Sequence, residues 1–471
     1  MNQTVKSPAV RPSGLAANIA ATLWLGLPMV GSNIAQMLLH VSDTIMLGWY
    51  GVPELAAVVL GSSFFFFLFI LGSGFSYALM GRISAAIGRG DAVQLRRDAR
   101  MGLWIAIGYG LAVMPVMAAA EPILLALGQN PQLAALAQEY LSIAMWGLVP
   151  ALIVACLRAY LSAQERAHLV MWVTLLGVAL NVLGNWAFIF GHFGAPEMGV
   201  RGAALASVLV QLSSAILLAL YAARAKGLRQ VALFARFWRP DWEALWAVLR
   251  LGLPAGLTHL SEAGLFQASA LMMGWIGTTE LAAHGIALEL ASLTFMIHMG
   301  LSNAATVRAG HAYGAGDPDR LRAGAKAALI LSLVFAALTI IVFLGMPHRL
   351  VSLFIDNSDP MAPAILAFGA RLLAVAALFQ LFDAAQVMAL GLLRGVHDTR
   401  VPMVVATISY WLIGVPTSYV LAFPLGLGGV GLWLGLVLGL ACVGVTLILR
   451  FWRGPWLVTG TPSDSGSRTP A

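Results

Sequence analysis

Twelve stretches of about 20 or more mostly apolar residues, each ended by charge, Pro or Gly, occupy most of this 471-residue chain. A run of that length is what a helix needs to cross the hydrocarbon of a bilayer, where the backbone must satisfy its own hydrogen bonds. The runs fall near 15–41, 53–78, 101–120, 132–156, 168–190, 200–223, 244–275, 282–307, 325–346, 362–391, 401–423 and 428–450. Soluble domains carry about 25% charged residues. Here 10% are charged and 60% hydrophobic, which excludes a water-facing globular surface. The expected fold class is an all-α polytopic membrane protein with twelve transmembrane helices.

The net charge of +7 suggests nucleic acid only until its residues are placed. All but three of the 27 Lys and Arg residues sit at the termini or in alternate connections; the exceptions are Arg201, Arg349 and Arg371. By the positive-inside rule the basic side is cytoplasmic and holds both termini. Trp49, Tyr50 and Trp275 then mark the outer interface, and Trp238, Trp242 and Trp452 the inner one. The first residues do not form a cleavable signal peptide, because the apolar stretch after them is too long.

The chain also repeats itself. Leu25-Gly26-Leu27-Pro28 returns as Leu251-Gly252-Leu253-Pro254, an offset of 226. At that offset Gly48-Trp49 matches Gly274-Trp275, and Glu54-Leu55-Ala56-Ala57 matches Glu280-Leu281-Ala282-Ala283. Gly90-Asp91 matches Gly316-Asp317, and Leu95-Arg96 matches Leu321-Arg322. Six spans per half, an even number, give both halves the same orientation, so a pseudo-two-fold along the membrane normal is expected. The organisation read this way is a cytoplasmic segment 1–14, an N-lobe 15–223, a basic linker 224–243, a C-lobe 244–450 and a disordered cytoplasmic tail 451–471. Two lobes about a central site suit transport by alternating access.

Four acids fall inside spans: Asp43, Glu262, Glu289 and Asp383. A charge at the bilayer centre costs about 2.5–3.5 kcal/mol even on lenient scales, and such residues mark ion or substrate paths. A carboxyl without a cationic partner there takes a proton or a cation, so these four are candidate coupling-ion and cationic-substrate sites. Asp43 has the alternative of reaching to the outer interface, and Glu289 that of a protonated, hydrogen-bonded link between helices. Asn181 and Asn185 share one helical face, with Ser207 on the next span; they read either as neutral ligands or as polar glue. Gln36 occupies the repeat position of Glu262, so the halves differ in charge there.

Other chemistries find little support. Cys156 and Cys442 form no metal-ligand spacing. His40 with Asp43, and His259 with Glu262, have i, i+3 spacing but no third ligand, so no metal beyond Na⁺ is expected. There is no Walker motif, and no cofactor is expected.

These residues resemble the multidrug and toxic compound extrusion (MATE) family, in its bacterial NorM-type branch, over about residues 15–450. The resemblance rests on Pro28 through Asp43-Thr44-Ile45-Met46-Leu47-Gly48, on Ala305-Thr306-Val307-Arg308-Ala309-Gly310 with Gly314-Ala315-Gly316-Asp317, and on Asp383-Ala384-Ala385-Gln386 with Gly391-Leu392-Leu393-Arg394-Gly395. It implies export of bulky, cationic, lipophilic drugs or dyes in exchange for inward H⁺ or Na⁺. It makes Asp43 the N-lobe carboxylate, with Asn181, Asn185 and Ser207 around it, and Glu262 and Asp383 the C-lobe acids. Pro28 corresponds to a proline associated with bending of the first helix. Two departures stand out: Phe379 replaces a Tyr that often supplies a cation ligand, and Glu289 replaces a neutral polar residue.

The reading is thus a secondary active antiporter, not an enzyme, in the bacterial inner membrane, working as a monomer without nucleic-acid partners. The alternatives are a flippase or exporter of a lipid-linked or amphipathic metabolite and, from another class, a polytopic membrane enzyme. The first would prefer a basic cavity, and the second lacks a catalytic constellation.

Overall fold

A computed structural model describes residues 14–355 and 360–458. Helices dominate, with no strand among the described residues. Twelve long helices follow in order: α1 (Leu15–Tyr50), α2 (Val52–Arg89), α3 (Ala92–Ala118), α4 (Pro131–Ala163), α5 (Ala167–Phe188), α6 (Val200–Arg224), α7 (Trp242–Ile276), α8 (Thr278–Gly314), α9 (Pro318–Gly345), α10 (Ala362–Gly395), α11 (Arg400–Ala422) and α12 (Gly428–Trp452). Each expected span matches one of them, four overrunning its C-terminal end by one or two residues. Eleven are long and apolar enough to cross a membrane on composition alone; α7 is the other.

The repeat is written into local structure. Gly90 and Gly316 have φ of 71° and 64°, the left-handed region that favours glycine, and each is followed by an Asp that caps the next helix. Asp91 accepts from the backbone N–H of Val93 and Gln94, and Asp317 from that of Arg320. The Gly-Asp pairs are therefore stop-and-start signals rather than ligand sites. The same offset reappears in two single 3-10 turns, Arg229–Val231 and Pro455–Leu457, each seating a buried apolar residue, Val231 and Leu457.

The chain packs as two compact units. One is Gly31–Gly256; the other joins the segment ending at Val30 to the chain from Leu257 onward. The boundaries fall within α1 and α7, whereas the sequence placed them at the linker 224–243. The reason is close helix contact through small residues. In the first unit a Cβ on Gly74 of α2 would lie 2.6 Å from the Gly252 carbonyl oxygen of α7. In the second, a Cβ on Gly300 of α8 would lie 2.6 Å from the Val30 backbone nitrogen of α1. Gly74 and Gly300 are themselves repeat-equivalent, so each half of the sequence lends the start of its first helix to the other unit.

Within the second unit α8 and α10 lock together by the same means. Ser302 Oγ donates to the Val387 carbonyl at 2.6 Å, and Thr306 Oγ1 to the Gly391 carbonyl at 2.8 Å. Helix α11 is interrupted by a π turn, Ser409–Gly414. That turn brings Gly414 against Gly439 of α12 and sets Tyr410 into the interior, fully buried.

The first residues of the expected tail 451–471 are folded. Helix α12 runs to Trp452 and the chain then closes a 3-10 turn held by Arg322, which donates to the Leu457 carbonyl at 2.6 Å. Burial of Leu457 orders this stretch. The remainder of the tail, and all of segment 1–14 except Gly14, lie outside the described residues.

Candidate functional site

In the first unit, α1, α5 and α6 converge on Asp43. Asn181 and Asn185, one turn apart on α5, both turn inward and are buried. Their side-chain amides donate to Asp43 Oδ1 at 2.9 Å and 2.6 Å. Ser207 Oγ of α6 donates to Oδ2 at 3.2 Å. Asn181 Oδ1 in turn accepts from Ser42 at 2.5 Å, while the buried Asn185 Oδ1 has no hydrogen-bond partner. Asp43 is thus held by neutral donors alone. Its nearest titratable neighbour on α1 is the exposed His40, and Tyr140 of α4 lies within electrostatic reach. The sequence grouping of Asp43, Asn181, Asn185 and Ser207 holds together in space; Ser42 and Tyr140 add to it.

In the second unit, Glu262 of α7 and Asp383 of α10 differ sharply in surroundings. Glu262 Oε1 accepts from Gln386 Nε2 at 2.5 Å, and its Oε2 lies 3.5 Å from His259 Nδ1. The other ring nitrogen of His259 is 3.5 Å from the Arg394 guanidinium, which also donates to Ser302 Oγ at 3.1 Å. On the far side, Tyr410 donates its hydroxyl to Gln386 Oε1 at 2.5 Å. Every member of this chain is buried. Asp383 stands outside it: only 1% exposed, with neither carboxyl oxygen hydrogen-bonded. Gln380, one turn earlier and fully buried, also has both side-chain polar atoms without a partner. Glu262 and Asp383 still sense each other's charge, and Tyr410 lies within electrostatic reach of both.

Two sequence expectations need correction here. Glu289 belongs to neither cluster; its side chain is exposed on α8, so it is not the buried helix-to-helix link considered for it. Arg394, assigned from sequence to a loop, lies on the last turn of α10 and is buried beside His259. Phe379 is buried among aromatic rings, with centroids 6.0 Å from Phe266 and 5.5 Å from Trp433. Hydroxyl chemistry at this site comes instead from Tyr410, which sequence reading missed. The stripe Asp383, Gln386, Leu390, Arg394 at i, i+3, i+7, i+11 was the available signal for Gln386 and Arg394. Nothing in the sequence marks Tyr410, since it reaches the site through the π turn. Pro28 lies inside α1, as placed from sequence. Among the described residues no group of three or more His, Cys, Asp and Glu side chains could hold a metal ion.

A duplicated twelve-helix membrane protein with deep, uncompensated carboxyls belongs to the class of membrane transporters. The MatE family model matches residues 28–187 and 254–420. A probable multidrug resistance protein NorM of Rhizobium meliloti (strain 1021) is 47% identical over 94% of this chain and 95% of its own length. One from Agrobacterium fabrum is 45% identical, over 96% of this chain and 97% of that protein. The fold matches the crystal structure of a eukaryotic MATE transporter with a TM-score of 0.85 at 21% identity, covering 95% and 98% of the two chains. The chain belongs to the MatE family, whose members are transporters and not enzymes.

Proposed function

We propose that this protein is a multidrug efflux antiporter that exports bulky, lipophilic cations in exchange for inward H⁺ or Na⁺. Its place is the bacterial inner membrane, with both termini cytoplasmic, and it works as a monomer. The multidrug resistance names of its relatives support the activity. One observation carries the coupling role: Asp383 is buried with neither oxygen hydrogen-bonded. An ionised carboxylate in that position costs several kcal/mol, so it must be neutralised by a proton or a cation, and exchange of one for the other is the elementary step of antiport.

Asp43 is the corresponding group of the other unit. Its shell presents N–H and O–H donors to the carboxylate. These donors stabilise the charged form, which then awaits a coupling cation, H⁺ or Na⁺, with the unpaired Asn185 Oδ1 beside it. Glu262 is the fixed acid of the second unit, held by Gln386 and His259, and it keeps a negative field at Asp383 for an arriving cation.

The test is flux of an ethidium-like cation in proteoliposomes under an imposed pH gradient or an imposed Na⁺ gradient. Asp43→Asn and Asp383→Asn are expected to abolish flux while the folded protein remains in the membrane. Full activity in both variants overturns the assignment, and absence of cation flux under either gradient overturns the export reading.

A further inference from the structure

The connection between α6 and α7 does more than join two helices. Its backbone is wound into successive tight turns, closed by Val231 N–H to the Leu228 carbonyl, Ala235 to Ala232 and Arg239 to Arg236. It is clamped onto α3. Arg97 bonds both carboxylate oxygens of Asp241 and reaches Glu243 at 2.7 Å. Arg100 donates to the Arg236 carbonyl at 3.2 Å, and Trp104 Nε1 to the Phe237 carbonyl at 2.9 Å. Burial of Leu228, Val231 and Leu233 completes the seat.

This clamp has an electrostatic consequence. Asp241 and Glu243, the only acids between residues 224 and 250, are both taken by Arg97. Lys226, Arg229, Arg236 and Arg239 are all exposed, and none has an ion-pair partner among the described residues. Beside them Trp238 is 73% exposed and Trp242 69%. Folding of the turn does not require a cation at position 229. The repeat-equivalent turn Pro455–Leu457 takes the same form, with Pro455 where the first half has Arg229. Arg229 is an addition to one copy of a turn that both copies make.

We propose that the Arg224–Trp242 connection is a binding surface for anionic phospholipid headgroups. Exposed indoles settle at the headgroup level of a bilayer, and Lys and Arg beside a transmembrane helix attract anionic lipid. Clamping by Arg97, Arg100 and Trp104 holds in place the backbone that carries both kinds of side chain, so binding requires little ordering of the main chain. Guanidinium groups pair with phosphate through two parallel hydrogen bonds, which suits a phosphodiester headgroup better than a diffuse negative surface.

The experiment is native mass spectrometry of the full chain titrated with phosphatidylglycerol or phosphatidylcholine. Each cation near an anionic surface is worth about fivefold in affinity. The triple variant Arg229→Gln, Arg236→Gln, Arg239→Gln is therefore expected to weaken phosphatidylglycerol binding at least about tenfold, leaving phosphatidylcholine unchanged. A triple Lys variant is expected to retain the preference for phosphatidylglycerol. Equal binding of the two lipids by the unaltered protein overturns the proposal, as does unchanged phosphatidylglycerol binding in the Gln variant. A short RNA that binds more tightly and displaces the lipid also overturns it, in favour of a nucleic-acid surface. Should the triple variant not fold, a salt series on the unaltered protein decides: a preference that survives high salt overturns the proposal.

Discussion

Glu262 and Asp383 read alike in the sequence, yet the structure gives their removal opposite signs. Asp383→Ala deletes a buried carboxyl with neither oxygen hydrogen-bonded. An unsatisfied buried polar group costs about 1–3 kcal/mol. Against that stands the void left behind, of about 25 Å³, costing about 0.6 kcal/mol at 24 cal/mol per Å³. The net expectation is a gain of about 0.5–2 kcal/mol, with transport lost. Glu262→Ala instead strips Gln386 Nε2 of its acceptor and leaves the His259 and Arg394 end of the network without its negative charge. Breaking one partner out of a buried charged network costs about 3–5 kcal/mol. The assay is thermal unfolding of the two purified variants in one detergent, alongside cation flux in proteoliposomes. Asp383→Ala should melt above the unaltered protein and Glu262→Ala well below it. A lower melting point for Asp383→Ala would refute the reasoning, because it would mean the carboxyl is satisfied and structural. Retained flux in Asp383→Ala would separately refute its coupling role.

Three further outcomes are expected. Gly300→Ala places a Cβ 2.6 Å from the Val30 nitrogen and 2.7 Å from its Cα, so it should destabilise by about 1–3 kcal/mol. Gly74→Ala should do the same against α7, whereas Gly108→Ala and Gly285→Ala, with nothing within 4 Å, should not; melting points of the four distinguish them. Tyr410→Phe leaves the buried Gln386 Oε1 without its donor and should cost about 1–3 kcal/mol, with flux measured alongside. The Asp241 carboxyl, outside the spans, is held below its ordinary value of 3.8 mainly by the hydrogen bond from Arg97. Its contribution to clamping the connection is therefore fully present above 3.8 and lost as pH falls below it through the lowered value. Limited proteolysis within 225–241 should accelerate only at acid pH, and Arg97→Ala should show that acceleration already at neutral pH.

Much of the candidate site was legible because charge inside a membrane is costly enough to stand out. Asp43, Glu262 and Asp383 declared themselves by that rule, and Asn181 with Asn185 by helical spacing. Glu289 obeyed the same rule but stands apart from both clusters, since a helix has an exposed side that hydropathy does not see. His259 and Arg394 were visible as residues but not as neighbours, because they come from helices more than a hundred residues apart in the chain.

The number of helices, their order and the repeat, down to the capping Asp91 and Asp317, are all written in the order of amino acids. These follow from local physics: apolar length, and turn residues at fixed positions. Three-dimensional packing, by contrast, exchanges the first halves of α1 and α7 between the two units. It alone also gave Glu262 a hydrogen-bonded network and Asp383 none, and brought Tyr410 inward on a π turn. Those outcomes depend on which helix backbones approach closely enough to touch, and the distances that set this are made between residues far apart in the chain. Periodicity reports which residues share a face; it does not report what that face meets.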